Sequence, residues 1–237
     1  MTTTDARHTR RPILPAVAVT PVLRWLVAHH STEPNQPWRT RCQCGQPLWP
    51  GACGPSGRCS ACSTPVGPRP CRVEVAALLG VALLAVGGAT GWELAAFAWW
   101  AAGMLVLAFV DLAVSRLPHR LTATTTAGFL AALALTGDGQ AWWRAVTAGL
   151  MVALFFAVLA VTSRGQLGWG DVALAVPLAA ALGWHSWTAV YIGLLAGLAA
   201  AATTAVVMRW TARLPAGAHL PLGPFLIAGA VVVMAWP

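Results

Sequence analysis

The stretch Gly168-Trp169-Gly170-Asp171 places a carboxylate among small residues, at the point where a polar loop meets an apolar helix. A Gly-x-Gly-Asp sequence occurs by chance in many proteins, so its weight depends on its surroundings. An ionisable side chain at the edge of a membrane span is costly to hold there and is usually functional. Asp171 is therefore a candidate for chemistry if the chain around it spans a membrane.

The composition is typical of a polytopic membrane protein. Of the 237 residues, 57% are hydrophobic and only 9% are charged, which is too apolar for a soluble domain of this size. All 15 basic residues are Arg, and nine of them precede residue 73, so the net charge of +8 is concentrated at one end of the chain. This asymmetry indicates membrane topology and argues against nucleic acid as a partner.

Apolar stretches separated by short breaks fill the chain from Val73 onward. At about 20 residues per span, they predict helices over residues 75–91, 93–112, 121–137, 144–162, 171–185, 187–209 and 220–236. The sequence thus predicts an all-α integral membrane bundle of seven spans in a lipid bilayer, formed by residues 73–237.

Three segments precede this bundle. Residues 1–12 are polar and basic and are expected to be disordered. Residues 13–30 are apolar but interrupted by Pro15, Pro21 and Arg24, which leaves a span, an interfacial helix or a signal sequence open. Residues 31–72 hold all six Cys residues and form a separate polar unit, here called the cysteine module.

Two independent signals predict the orientation of the bundle. The breaks at 113–120, 163–170 and 209–219 hold five Arg residues, whereas the alternate breaks hold only Arg144, so the first set is predicted to be cytoplasmic. An aromatic belt is then expected at the opposite interface, formed by Trp92, Trp142, Trp143, Trp184, Trp187 and Trp236. The cysteine module lies one helix earlier and is predicted to be cytoplasmic too.

Asp111 and Asp171 are the two acids, out of seven, at cytoplasmic ends of apolar helices. Two carboxylates in a poorly solvated place cannot both ionise easily, so they can share one proton. The ionised Asp can take a proton from water while the protonated Asp donates to the developing oxyanion. Such a pair hydrolyses peptides without a metal or a covalent intermediate. Alternatively, each Asp caps a helix or pairs with an Arg.

Gly168 and Gly170 are consistent with the hypothesis that Asp111 and Asp171 hydrolyse peptides. Glycine adopts backbone angles that are closed to other residues and lets another chain approach the backbone closely. An extended peptide substrate could then lie beside this loop. A non-enzymatic membrane protein, such as a transporter or an assembly factor, is the competing hypothesis.

Three motifs together resemble a known family, the type IV prepilin peptidases. Asp111 is followed seven positions later by Pro118 and then by Leu121-Thr122, as in the family's first motif. Gly168-Trp169-Gly170-Asp171 resembles the second motif, and Pro221-Leu222-Gly223-Pro224 is similar to a Pro-x-Gly-Pro turn near the family's C-terminus. The motifs come in the family's order, over roughly residues 37–236. Ala173 and His119 depart from the pattern, which often has Lys and Asp or Asn there.

The resemblance implies a multi-pass aspartic peptidase of the GxGD type in the bacterial inner (plasma) membrane. It would cut the leader from type IV pilin-like or pseudopilin precursors at the cytoplasmic face, with Asp111 and Asp171 as catalytic residues. The residues implied to shape the site are Gly168, Gly170, Pro118, Pro221, Gly223 and Pro224. Many members of the family also methylate the new N-terminus with S-adenosylmethionine, which makes this cofactor an expectation here.

The spacing of the cysteines predicts a structural zinc site. Cys59-Ser-Ala-Cys62 has the two-residue spacing that lets both thiolates reach one Zn²⁺. Cys42 and Cys44 supply the other half, one residue short of a regular knuckle, and Cys53 is a possible substitute for either. Four protein ligands leave no open position, so the zinc would be structural. Metal-free thiols, or disulfides under an inverted topology, are the alternatives.

Two further expectations concern polar residues next to this module. His29 and His30 lie in an unpatterned segment and are expected to contact solvent or lipid headgroups. Glu74, where the module enters the first helix of the bundle, is expected to pair with Arg69 or Arg72. The alternative, which the family resemblance implies, is that it faces the cytoplasmic site or S-adenosylmethionine.

Overall fold

A computed structural model describes residues 13–32, 36–163, 167–211 and 221–235. The N-terminal residues predicted to be disordered, 1–12, lie outside this described part. The described residues form helices α1 (Ile13–His30), α2 (Leu48–Gly51), α3 (Arg72–Val86), α4 (Gly91–Val114), α5 (His119–Ala134), α6 (Gly139–Thr162), α7 (Trp169–His185), α8 (Trp187–Trp210) and α9 (Gly223–Met234). They contain no β-strand, so the all-helical prediction is confirmed for them.

Each of the seven helices predicted after the cysteine module is present, as α3 to α9, with ends shifted by a few residues. The shifts have local causes. Helix α6 begins at Gly139, earlier than predicted, because the Asp138 carboxylate accepts a hydrogen bond of 2.9 Å from the N–H of Ala141. An N-cap of this kind satisfies a backbone donor that the first turn of a helix leaves unpaired.

Within the described part of the chain, three helices, α4, α6 and α8, are long and apolar enough to cross a membrane. The predicted count of seven spans therefore remains a prediction, although the all-helical and apolar character of the chain is confirmed. Large apolar side chains are exposed on the outer faces of α6 and α8, among them Leu150, Leu154, Leu195 and Ile192. Exposed apolar surface of this extent is what lipid covers in a membrane protein.

Helix α7 is the centre of the bundle. Leu174, Leu178 and Leu182 on this helix are fully buried, and α7 contacts α5, α6, α8 and α9. Because neighbouring helices surround it, the first turn of α7, which contains Asp171, is held in a fixed position relative to the rest of the bundle.

Helices α8 and α9 pack closely because glycines face each other at their crossing. A Cβ atom added to Gly229 would lie 2.5 Å from the carbonyl oxygen of Gly193 and 2.5 Å from the backbone nitrogen of Gly197. Small residues allow such close approach between helices in membranes. The crossing fixes the position of α9, whose first residue is Gly223.

Helix α1 lies against α3 and α4 and carries a buried cation. The guanidinium of Arg24 donates to both carboxylate oxygens of Glu74 at 2.6 Å, and to the carbonyl oxygens of Pro55 at 3.0 Å and Pro68 at 3.3 Å. The expectation that Glu74 pairs with Arg69 or Arg72 is therefore wrong. The partner lies 50 residues away in the sequence, and the ion pair joins α1, the cysteine module and α3.

Candidate functional site

The first motif forms a tight turn between α4 and α5. Asp111, in the last turn of α4, is buried. Ser115 ends this helix in the left-handed region, with a φ of 48°, and its N–H donates to the carbonyl oxygen of Asp111 at 2.7 Å. Pro118 then precedes the first residue of α5 in an extended conformation. The turn reverses the chain within four residues and leaves Asp111 at the end of the bundle.

The second motif forms the start of α7. Gly168 is extended and occupies the N-cap position, and Asp171 lies in the first turn, where its N–H donates to the carbonyl oxygen of Gly168 at 3.0 Å. Asp171 is thus not the N-cap of its helix, although a carboxylate in the first turn is favoured by the helix dipole. The first and second motifs touch, since a Cβ added to Gly170 would lie 3.0 Å from Leu117 Cβ.

The third motif contacts Asp111 through Gly223 at the start of α9. A Cβ added to Gly223, the first residue of α9, would lie 2.7 Å from Asp111 Oδ2 and 3.2 Å from Leu174 Cδ2. The same Oδ2 atom is buried and has no hydrogen-bond partner among the described residues. Gly223 therefore packs directly against the Asp111 carboxylate. Because Gly has no side chain, the carboxylate fits beside α9 in this position.

Replacing Gly223 with Ala should displace the Asp111 carboxylate. The new methyl group has no space at 2.7 Å from Oδ2, and an error of about 1 Å in a reacting group lowers the rate on the order of 10²-fold. Under the peptidase activity that the motif resemblance implies, cleavage of a pilin-like precursor by the purified variant should fall by this amount, while the helical content, measured by circular dichroism, stays unchanged.

Gly139→Ala is the matched control for this substitution. Gly139 is also the first residue of a helix, α6, and a Cβ atom there would meet nothing within 4 Å. Its activity should equal that of the unaltered protein. Equal activities of the two alanine variants would contradict the role given to Gly223.

One cavity of about 630 Å³ brings the two acids together. Asp111 and Asp171 both line it, with Gly168, Gly170 and Pro118, whereas Pro221, Gly223 and Pro224 do not. Its remaining lining residues are His30, Trp38, Ser115, Arg116, Leu117, His119 and Arg120. The cavity therefore combines two carboxylates with a wall of basic and aromatic side chains.

His30 and Trp38 are the lining residues that the sequence did not indicate. His30 was expected to contact solvent or headgroups, which stays a prediction; the structure adds that its ring lies at the cavity and 4.9 Å from the Trp38 ring. Both residues precede the cysteine cluster and are more than 70 positions away from Asp111. No periodicity or spacing could have associated them with the carboxylates.

The four cysteines predicted to bind zinc lie together. The Sγ atoms of Cys42, Cys44, Cys59 and Cys62 are all within 4.8 Å of one another. The shortest separations are 3.6 Å, between Cys42 and Cys62, and 3.7 Å, between Cys44 and Cys59. A tetrahedral Zn²⁺ with bonds of about 2.3 Å requires sulfur atoms about 3.8 Å apart, so the cluster fits such an ion.

Two similar turns present these thiols. In the first turn, Cys42 and Gln46 pair through an N–H to carbonyl bond of 2.8 Å, and Gly45 adopts a φ of 87°, which explains how the short Cys-x-Cys spacing is accommodated. In the second turn, Cys59 and Thr64 pair in the same way at 3.0 Å.

The second turn also favours the thiolate form of a cysteine. Hydrogen bonding with the side chain and the backbone of Thr64 lowers the pKa of the Cys62 thiol to about 6, and Cys62 Sγ lies 3.2 Å from Thr64 Oγ1. Metal binding requires a thiolate. Cys53 lies outside the cluster and its Sγ is 3.6 Å from the carbonyl oxygen of Leu48, while Cys71 is exposed.

Fold and site together define a class of protein. It is helical, several of its helices are long and apolar enough to span a membrane, and its helix ends bring two carboxylates to one cavity. Comparison with known proteins supplies the family. Residues 95–208, which include both Asp111 and Asp171, match the type IV leader peptidase family. The resemblance noted in the motifs is thus confirmed over these residues, which make up just under half of the chain.

Two curated relatives extend this comparison. They are the prepilin leader peptidase/N-methyltransferases of Burkholderia pseudomallei strains 1026b and K96243, each 35% identical to this chain over 184 residues. The matched region covers 75% of this chain and 58% of each relative, so the chain spans less than two thirds of their length. No solved structure was found to match the chain.

Proposed function

We propose that this protein is a membrane aspartic peptidase that removes the leader from type IV pilin-like or pseudopilin precursors. One observation supports this most directly: Asp111 and Asp171 line the same cavity within the region that matches the leader peptidase family. The names of the Burkholderia relatives describe prepilin leader peptidases, which suggests the substrate class.

In the proposed reaction the two carboxylates share one proton. Water attacks the scissile carbonyl carbon as the ionised Asp takes a proton from it, and the protonated Asp donates to the carbonyl oxygen. The tetrahedral intermediate then collapses, the C–N bond breaks, and the leaving amine receives a proton from the pair. The products are a carboxylate on the leader and a free amine on the mature protein.

The two glycines of the second motif have different roles in the proposed mechanism. Gly168 leaves space beside the carboxylate, since a Cβ atom there would lie 3.4 Å from Asp171 Oδ2. Gly170 allows Leu117 to pack against the start of α7. We therefore assign Gly168 to substrate access and Gly170 to holding the two motifs together.

The cavity is proposed to face the cytoplasm, in a bacterial plasma membrane. Arg116 and Arg120 lie at the cavity, at the end of the bundle predicted to be cytoplasmic. Arg144, the exception in the predicted orientation, has a structural role: it donates to the carbonyl oxygens of Gly183 at 2.6 Å and His185 at 3.1 Å. A cation is favourable at a helix C-terminus, so this Arg does not argue against the orientation.

The cysteine module is proposed to be a cytoplasmic zinc-ribbon-like unit in which Cys42, Cys44, Cys59 and Cys62 hold Zn²⁺. The zinc would stabilise the module's two turns. N-methylation with S-adenosylmethionine, which the names of the relatives suggest, is proposed as a companion reaction on the amine that cleavage releases.

A single assay tests these assignments. The purified full chain in lipid vesicles is incubated with a pilin-like precursor in water that carries a heavy oxygen isotope. The products are then analysed by mass spectrometry. We expect cleavage at the leader boundary, with one heavy oxygen in the new carboxylate, and one added methyl group on the amine when S-adenosylmethionine is present. An intact precursor, combined with ion flux across the same vesicles, would instead support a transporter.

A further inference from the structure

We propose that Trp38 and Arg116 form a clamp through which the cysteine module holds the turn at residues 115–118, and with it Asp111, in the arrangement that the reaction requires. This inference rests on the proposed peptidase function and assigns positioning roles to two residues of the same cavity. Neither residue is proposed to exchange a proton with the substrate.

The clamp is a cation–π contact between distant parts of the chain. Arg116 Cζ lies 5.0 Å from the centroid of the Trp38 ring, within the distance of about 6 Å at which a guanidinium is attracted to an aromatic face. Trp38 precedes the cysteine cluster, whereas Arg116 follows α4, and both line the cavity. The contact is therefore a direct link between the module and the carboxylate site.

Trp38 is a fixed platform because its neighbours tie it to α1. The N–H of Arg39 donates to the carbonyl oxygen of His29 at 3.1 Å, and His29 Nδ1 lies 2.8 Å from the carbonyl oxygen of Arg39. The ring of His30 lies 4.9 Å from the Trp38 ring. Helix α1 is in turn joined to the module by Arg24, which donates to the carbonyl oxygens of Pro55 and Pro68.

The turn that carries Arg116 contains one residue in an unfavourable backbone conformation. Ser115 has a φ of 48°, which is unfavourable for a residue other than Gly and persists only where surrounding contacts enforce it. Leu117 supplies one such contact, since it is buried and packs against Gly170. Arg116 stands between these two residues, so its contact with Trp38 restrains the turn that joins α4 to α5, in which Leu117 packs against the first turn of α7.

A double-mutant cycle on peptidase activity tests the clamp. Trp38→Ala and Arg116→Met should each lower kcat between about 2-fold and 30-fold, the range of a cation–π contact, while KM stays unchanged. The double variant should be no slower than the worse single variant, because each substitution removes the same contact. Trp38→Phe and Arg116→Lys, which keep an aromatic face and a cation, should recover most of the rate.

Hydrogen exchange supplies a second readout that does not depend on activity. In Trp38→Ala and in Arg116→Met, amides of residues 112–122 should exchange faster, while residues 40–66 and the zinc content stay unchanged. Trp210→Ala is the control for loss of a Trp side chain, because Trp210 ends α8, is 86% exposed and does not line the cavity. It should change neither the exchange nor kcat.

The outcomes separate the clamp from the proposed function. If the unaltered protein cleaves no precursor, the peptidase proposal fails, and hydrogen exchange still decides whether the clamp exists. If cleavage occurs but the two substitutions act independently, or the loss falls on KM alone, the clamp is overturned. Loss of zinc in Trp38→Ala together with unchanged exchange in Arg116→Met would overturn it as well.

Discussion

Asp111→Asn and Asp171→Asn should each abolish cleavage of a pilin-like precursor, with a loss of at least about 10³-fold in kcat. An amide neither takes a proton from water nor donates the proton that a carboxylic acid gives to the oxyanion. In the proposed mechanism the two acids act as one unit on a single proton, so the double variant should be no slower than either single variant. Rates are measured with the purified proteins in vesicles.

Asp138→Asn is the matched control for these two variants. Asp138 lies in the break between α5 and α6, and its carboxylate caps α6 through the N–H of Ala141. Asn is an equally good N-cap, so this variant should keep both its fold and its activity. Retained cleavage by either Asp111→Asn or Asp171→Asn would show that the pair is not the catalytic apparatus.

Cys42→Ser and Cys62→Ser should each remove the metal from the cysteine module. The unaltered protein is expected to hold about one zinc per chain, bound by four thiolates. A Ser hydroxyl does not replace a thiolate, and in the proposed site the ion holds the module's two turns together. Elemental analysis should show the loss of zinc, and limited proteolysis should cut residues 36–66 much faster than in the unaltered protein.

Cys71→Ser provides the control for this experiment. Cys71 is exposed and lies outside the four-thiol cluster, so its substitution should change neither zinc content nor protease resistance. Cys53→Ser should also retain the metal, since Cys53 is outside the cluster. Loss of zinc in Cys53→Ser, with retention in Cys42→Ser, would mean that Cys53 is the fourth ligand.

Much of this protein could be predicted because its signals are local. Hydrophobic stretches of about 20 residues predict helices without reference to any partner, and α3 to α9 were found close to the predicted positions. Arg placement, the two carboxylates at helix ends and the Cys-x-x-Cys spacing are local features too. Helix ends were less accurate, because caps such as Asp138 lie in the breaks, where hydropathy carries no information.

The chemistry of the site was also visible in local patterns. Asp111 and Asp171 stood out because a carboxylate is rare beside an apolar helix. Their three surrounding motifs indicated a resemblance to the type IV leader peptidases, and residues 95–208 match that family. Residue type and short spacing were sufficient for these inferences, since both depend on chemistry within one or two turns of the chain.

The tertiary packing of the helices determines which residues surround the two carboxylates. The pairing of Arg24 with Glu74, the position of Gly223 behind Asp111 and the presence of His30 and Trp38 at the cavity all join residues 50 or more positions apart. Such contacts follow from how helices cross and which small residues allow their close approach, and a pattern within one helix does not contain that information. Local sequence therefore specified the helices and the reactive groups, whereas the packing of those helices specified which residues surround Asp111 and Asp171.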